Sequence, residues 1–161
     1  MGSGSKVQAD WLRDAGGRSV DDSESRVVVA GALAKLLERL RTLEQEISRE
    51  MGDFRLFGVF LREDARDKWD VVVAATWFSR LGTDPIEFLS DRLKSALGLA
   101  GLMMISRIVA IKEQDPFLEE VNDAVQVRHS VREIADVDLA GVPVSRGFIL
   151  TSIPAGIRSR G

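Results

Sequence analysis

The sequence contains no cysteine and only one histidine among its 161 residues. The absence of cysteine excludes disulfides and thiol catalysis, and it mildly favours a reducing compartment. A single histidine leaves few ligands for zinc. That residue, His129, lies among Arg128, Ser130 and Arg132 without a Gly-x-Ser-x-Gly motif, so we interpret it as a surface histidine of a strand rather than a catalytic base. We assign no catalytic residue, and the sequence favours a protein that is not an enzyme.

The chain also lacks a long apolar run and a strong charge of either sign. No apolar segment reaches the length of a membrane span, and no secretion signal is recognisable, which predicts a cytoplasmic protein without a membrane partner. The net charge is −3, so no overall field attracts nucleic acid, which is not expected as a partner. A minor alternative is nucleic-acid binding through five arginines: Arg128, Arg132, Arg146, Arg158 and Arg160.

Two neighbouring apolar segments stand at the centre of the chain. Residues 54–62 and 69–78 are rich in β-branched and aromatic side chains, and each is apolar on both of its alternating faces. This pattern predicts two strands of a sheet that is covered on both sides. Residues 63–68, EDARDK, are nearly all charged and predict an exposed turn between the strands. The remaining elements are expected to pack around this central hairpin.

A long amphipathic helix is predicted before the hairpin. Residues 21–24, DDSE, resemble a capping box, and Gly52 is expected to stop the helix at about Glu50. The apolar stripe of this helix is compatible with two interpretations. It covers the sheet, or it forms a helix–helix seam in a homodimer, because its spacing also suits a heptad. The residues of this stripe, our candidate interface, are Leu33, Leu36, Leu40, Leu43 and Ile47.

Further elements follow the hairpin. Asp84-Pro85 and Asp115-Pro116 each predict the start of a helix. Residues 103–112 predict a third strand, which a strand–helix–strand connection of this length would place parallel to the second. Residues 136–139 and 142–153 predict a final hairpin.

The predicted fold is therefore a single α+β domain. Its mixed sheet has about five strands, and the order of elements is α-β-β-α-β-α-β-β, with helices covering the sheet. The domain is expected to span residues 21–153. Residues 1–20, which begin with a sequence typical of a cloning remnant, predict a mobile lead-in, and residues 154–161 predict a flexible tail.

Three aspartates cluster around the first predicted turn: Asp64, Asp67 and Asp70. Carboxylate oxygens suit hard metal ions, so these residues are weak candidates for a metal site. Arg66 and Lys68 interleave with them and would partly neutralise their charge. A solvated turn is the favoured interpretation, and no cofactor is predicted.

Leu56-Phe57-Gly58, followed by Asp70, resembles the minimal nucleotidyltransferase pattern, in which a small turn precedes a pair of metal-binding aspartates. The resemblance covers roughly 20 residues. Val59 stands where that family has serine, and Val72 where it has the second aspartate. The resemblance would therefore imply a catalytically inactive nucleotide binder, with Gly58 and Asp70 as remnants of the site.

The segments LFGVFLREDARDKWDVVVAATW and MMISRIVAI resemble small bacterial α+β proteins without an assigned role. This resemblance covers much of residues 50–152 and implies a fold but no activity. Our leading hypothesis is a non-enzymatic interaction or regulatory module that binds a second copy of itself or another protein. Its interface would be the apolar stripe of the first helix or an exposed sheet edge near the final hairpin. The alternative is the inactive nucleotide binder.

Overall fold

A five-stranded mixed sheet with three helices forms the part of the chain that the structure, a computed structural model, describes. The described residues are 22–63 and 68–155, with side chains described from residue 31 onwards. The element order and the α+β class are as predicted from the sequence. The predicted lead-in and most of the predicted tail lie outside the described residues.

The central strand of the sheet is β1 (Leu56–Arg62), and the strand order is β3-β2-β1-β5-β4. β1 pairs antiparallel with β2 (Trp69–Ala74) and with β5 (Val142–Ser152). β3 (Ile105–Ala110) extends the sheet parallel to β2, and β4 (Arg132–Leu139) pairs antiparallel with β5. The central hairpin, the parallel third strand and the final hairpin are confirmed. β3 and β4 form the two edges of the sheet.

Helices cover both faces of the sheet because its central strands are apolar on both faces. α1 (Asp22–Met51) and α2 (Pro85–Leu102) pack on the face that carries Val59. α3 (Pro116–Ala124) packs on the opposite face, which carries Leu56. Full burial of one such aliphatic or aromatic side chain contributes about 1.5–3 kcal/mol. The two clusters together therefore provide most of the driving force for folding.

Local signals in the sequence define the helix ends. The Asp84 and Asp115 carboxylates each accept a hydrogen bond, 2.9 Å long, from the backbone N–H two residues later. They satisfy donors that the first turn leaves free. α1 is followed by Gly52 with φ of +117°, a conformation that glycine adopts without strain. Gly98, with φ of +72°, interrupts α2, which then resumes for one further turn.

The second strand is shorter than predicted. Thr76–Arg80 form a 3₁₀ helix instead of continuing β2. The chain turns away from the sheet at this point, and the turn buries Trp77. Its ring packs edge-on against Phe54 with centroids 5.3 Å apart, and its Nε1–H donates to the Gly52 carbonyl at 2.9 Å. An indole is buried at low cost only when its N–H has a partner.

Candidate functional site

The apolar stripe of α1 lies in the core of the single chain. Its five side chains are between 0% and 8% exposed and belong to the same cluster as the β1 and β2 side chains beneath them. A seam between two copies needs these side chains at the surface. The stripe instead covers the sheet, whose apolar face would otherwise meet water. In this packing the stripe has almost no exposed surface for a second copy to contact. Its residues are Leu33, Leu36, Leu40, Leu43 and Ile47.

Asp70 is buried in the sheet rather than solvated at a turn. It is 3% exposed, and its Oδ2 accepts a hydrogen bond from Arg62 Nε at 2.7 Å. Arg107 Nε lies 3.4 Å from its Oδ1. Asp64 and Asp67 lie outside the described residues. Among the residues that are described, no group of three or more ligand side chains is placed to hold a metal ion.

Gly58 occupies the middle of β1 and forms no turn. It pairs with Val72 on one side and Ile149 on the other. A Cβ at this position would lie 3.2 Å from the Phe148 carbonyl oxygen and closer still to the Phe60 ring. The glycine therefore permits close packing within the sheet. The phosphate-holding turn implied by the nucleotidyltransferase resemblance is not formed at Gly58.

A second polar cluster surrounds Glu44, which is fully buried on α1. Its Oε2 accepts hydrogen bonds from Thr151 Oγ1 at 2.8 Å and from Ser48 Oγ at 3.1 Å. His129 Nδ1 lies 2.9 Å from Oε1. Burial of a carboxylate costs several kcal/mol unless such partners replace water. These contacts tie α1 to β5 and to the segment before β4.

His129 belongs to an irregular segment, so its predicted place on a strand is wrong. Its φ is +51°, and its backbone N–H donates to Thr151 Oγ1 at 3.0 Å. On the far side of the ring, Nε2 lies 3.5 Å from Asp53 Oδ1, and Asp53 also pairs with Arg128 at 3.3 Å. The imidazole is thus held between two carboxylates. This geometry fixes the ring's position.

Sequence reasoning missed the Glu44–His129 pair because the two residues are 85 positions apart. One signal was present. Glu44 follows Leu40 by four residues and therefore lies on the apolar face of the helix. An acid on a buried face needs hydrogen-bond donors, so the pattern indicates that Glu44 has a partner but does not identify it.

The two sheet edges differ in how well they are protected against further pairing. β4 carries charged side chains along its length. Its pairing with β5 is interrupted at Asp136, whose φ is +54°. Charges and local kinks of this kind discourage strand addition. The charged residues on β4 are Arg132, Glu133, Asp136 and Asp138.

β3 has much weaker protection. Arg107 is its one charged residue, and Ile105, Ile108 and Ala110 are half-buried. Two large apolar side chains before the strand are exposed: Leu99 at 75% and Met103 at 61%. We call β3 together with Leu99 and Met103 the β3 edge surface. An apolar strand edge that pairs with no other described strand is a template for pairing with another chain.

A cavity of about 200 Å³ lies between the sheet and α3. Its walls include Phe60, Val109 and Phe117, and Asp70 and Arg107 lie at its polar end. Phe117, at the start of α3, is the residue of that helix that lines the cavity. We call it the α3 cavity.

Comparisons with protein-family models, with curated proteins and with solved structures find no match to this chain. None of the helices in the described ranges is both long enough and apolar enough to cross a membrane.

Proposed function

We propose that this chain is a non-enzymatic interaction module that self-associates by pairing the β3 edge surfaces of two copies. The observation that carries the proposal is the contrast between the edges. β4 is charged and kinked, whereas β3 is mostly apolar and follows exposed Leu99 and Met103 in the sequence. Neither interface expected from the sequence is favoured: the stripe on α1 is buried, and β4, the sheet edge at the final hairpin, is the charged and kinked edge.

Backbone geometry suits this pairing. The Ile111 N–H donates to the Val73 carbonyl at 2.9 Å, so alternation directs the N–H groups of Ile108 and Ala110 away from β2. Two copies related by a two-fold axis would pair these outward groups antiparallel and join their sheets. If Ile108 of one copy lies opposite Ile108 of the other, Arg107 of each copy lies opposite Val109 of the second copy. Like charges would then avoid direct opposition.

We expect Ala110→Lys to weaken self-association. Lysine on an edge strand opposes strand addition, so the dissociation constant should rise by about tenfold or more. The matched control is Ala135→Lys, which places the same change on β4 and should leave the dissociation constant unchanged. Sedimentation equilibrium measures the constant, and thermal unfolding checks that both variants remain folded.

A strict monomer at all concentrations would remove the proposal. So would a dimer that Ala135→Lys weakens and Ala110→Lys does not. No observation on the described residues favours the nucleotide-binding alternative, because Gly58 lies within β1 and Asp70 pairs with two arginines.

A further inference from the structure

The α3 cavity has the size and lining of a small-molecule site. An apolar cavity of about 150 Å³ holds a benzene ring, and this one measures about 200 Å³. Side chains from β1, β2, β3, β5 and α3 line it, and most of them are aliphatic or aromatic. A phenyl or branched alkyl group would therefore fit within its walls.

The polar end of the cavity contains an acceptor without a hydrogen-bond partner. Asp70 Oδ1 is buried and receives no hydrogen bond from the described residues. Its ion pair with Arg107 Nε is 3.4 Å long, which is too long for a strong charge-assisted bond. A buried carboxylate oxygen that is paired only at this distance is poorly satisfied, and a ligand that donates a hydrogen bond there would lower its free energy.

The charges of the described residues that line the cavity are balanced. Arg62 and Arg107 are positive, and Asp70 and Asp115 are negative. A simple anion or a simple cation would meet one group of its own sign. A ligand that carries both charges on neighbouring atoms complements both.

We propose that the α3 cavity binds a free α-amino acid with an apolar side chain. The ammonium group donates to Asp70 Oδ1, the carboxylate pairs with Arg107, and the side chain fills the apolar part. This site goes beyond self-association and does not depend on it.

Arg107 is suited to admit the ligand. Its side chain is 56% exposed, and its contacts to Asp70 are both 3.4 Å long. Arg62 Nε, by contrast, holds Oδ2 at 2.7 Å. Arg107 can therefore turn outward to the ligand carboxylate while Arg62 keeps Asp70 in place.

Titration calorimetry with a panel of ligands tests the proposal. L-phenylalanine and L-leucine should bind, whereas phenylpropionate, which lacks the ammonium group, and phenethylamine, which lacks the carboxylate, should each bind about tenfold or more weakly. L-serine, which leaves the apolar walls empty, should not bind measurably.

Two variants separate the roles of the polar groups. Arg107→Ala should weaken L-phenylalanine about tenfold but should not weaken phenethylamine, because it removes a positive charge that repels an amine. Asp70→Asn should weaken L-phenylalanine but should not weaken phenylpropionate, because it removes a negative charge that repels a carboxylate. Arg132→Ala, an exposed arginine on β4, is the matched control and should change nothing. Arg107→Ala removes an exposed side chain, so its result stands even if Asp70→Asn unfolds.

Failure of both amino acids to bind at about 10 mM would overturn the proposal. Equal binding of L-phenylalanine and phenylpropionate would also overturn it, because the site would then recognise a carboxylate alone. Either result leaves self-association through β3 untouched, since that is measured separately.

Discussion

Substitution of both Leu36 and Leu40 by glutamate is expected to unfold the domain. Both side chains are at most 2% exposed and pack against the sheet within one chain. Shortening a single buried leucine to alanine costs about 2–5 kcal/mol, and a buried unpaired carboxylate adds to that cost. The sum is comparable to the whole stability of a typical domain, about 5–15 kcal/mol. Circular dichroism and urea unfolding measure the effect.

Ala34→Glu combined with Thr42→Glu is the matched control. Both residues are exposed on the same helix, and the pair changes the net charge by the same amount. We expect this control to remain folded, with a change of about 0.5 kcal/mol per site. If the leucine variant instead gave folded monomers from a wild-type dimer, the stripe would be a seam between copies and our placement of α1 would be wrong.

Glu44→Ala is expected to cost about 3 kcal/mol or more, the second largest effect. It removes the acceptor that Thr151, Ser48 and His129 share in the core. Loss of one partner from a buried charged network leaves the others unpaired, which is far more costly than the loss of a surface pair. Denaturant unfolding at constant pH measures the change.

Glu46→Ala provides the control for that prediction, because Glu46 lies exposed two residues away on the same helix. The free energy of unfolding of the Glu46→Ala variant should stay within about 0.5 kcal/mol of the wild-type value. A double-mutant cycle of Glu44 and His129 should give a coupling of about 1 kcal/mol or more. Zero coupling would show that the imidazole contact contributes nothing to stability.

Much of the fold could be predicted from local chemistry. The apolar character of both faces of residues 54–62 required cover on both sides, and the structure supplies it with α1 and α2 on one face and α3 on the other. The two Asp-Pro pairs marked helix starts because both effects are local to one turn. The aspartate caps the first free N–H groups, and the fixed φ of proline suits the first helical position. These features depend on neighbours in sequence, so the sequence alone was sufficient.

The features that were missed depend on distant residues. Trp77 leaves β2 because the end of α1 provides a hydrogen-bond acceptor, and strand propensity carries no information about that acceptor. His129 finds Glu44 only once α1 lies across the sheet. The α3 cavity is lined by residues from four strands and α3 that are distant in sequence. The position of Trp77, the Glu44–His129 contact and the α3 cavity all depend on how distant elements pack together, and the local sequence pattern does not determine them.

Hydrogen exchange of the β3 amides at several protein concentrations tests whether two copies pair through β3. If two copies pair through β3, the outward N–H groups of Ile108 and Ala110 should exchange more slowly as concentration rises, while exposed β4 amides stay unchanged. Exchange at Ile108 and Ala110 that is equally fast at every concentration would contradict self-association through β3.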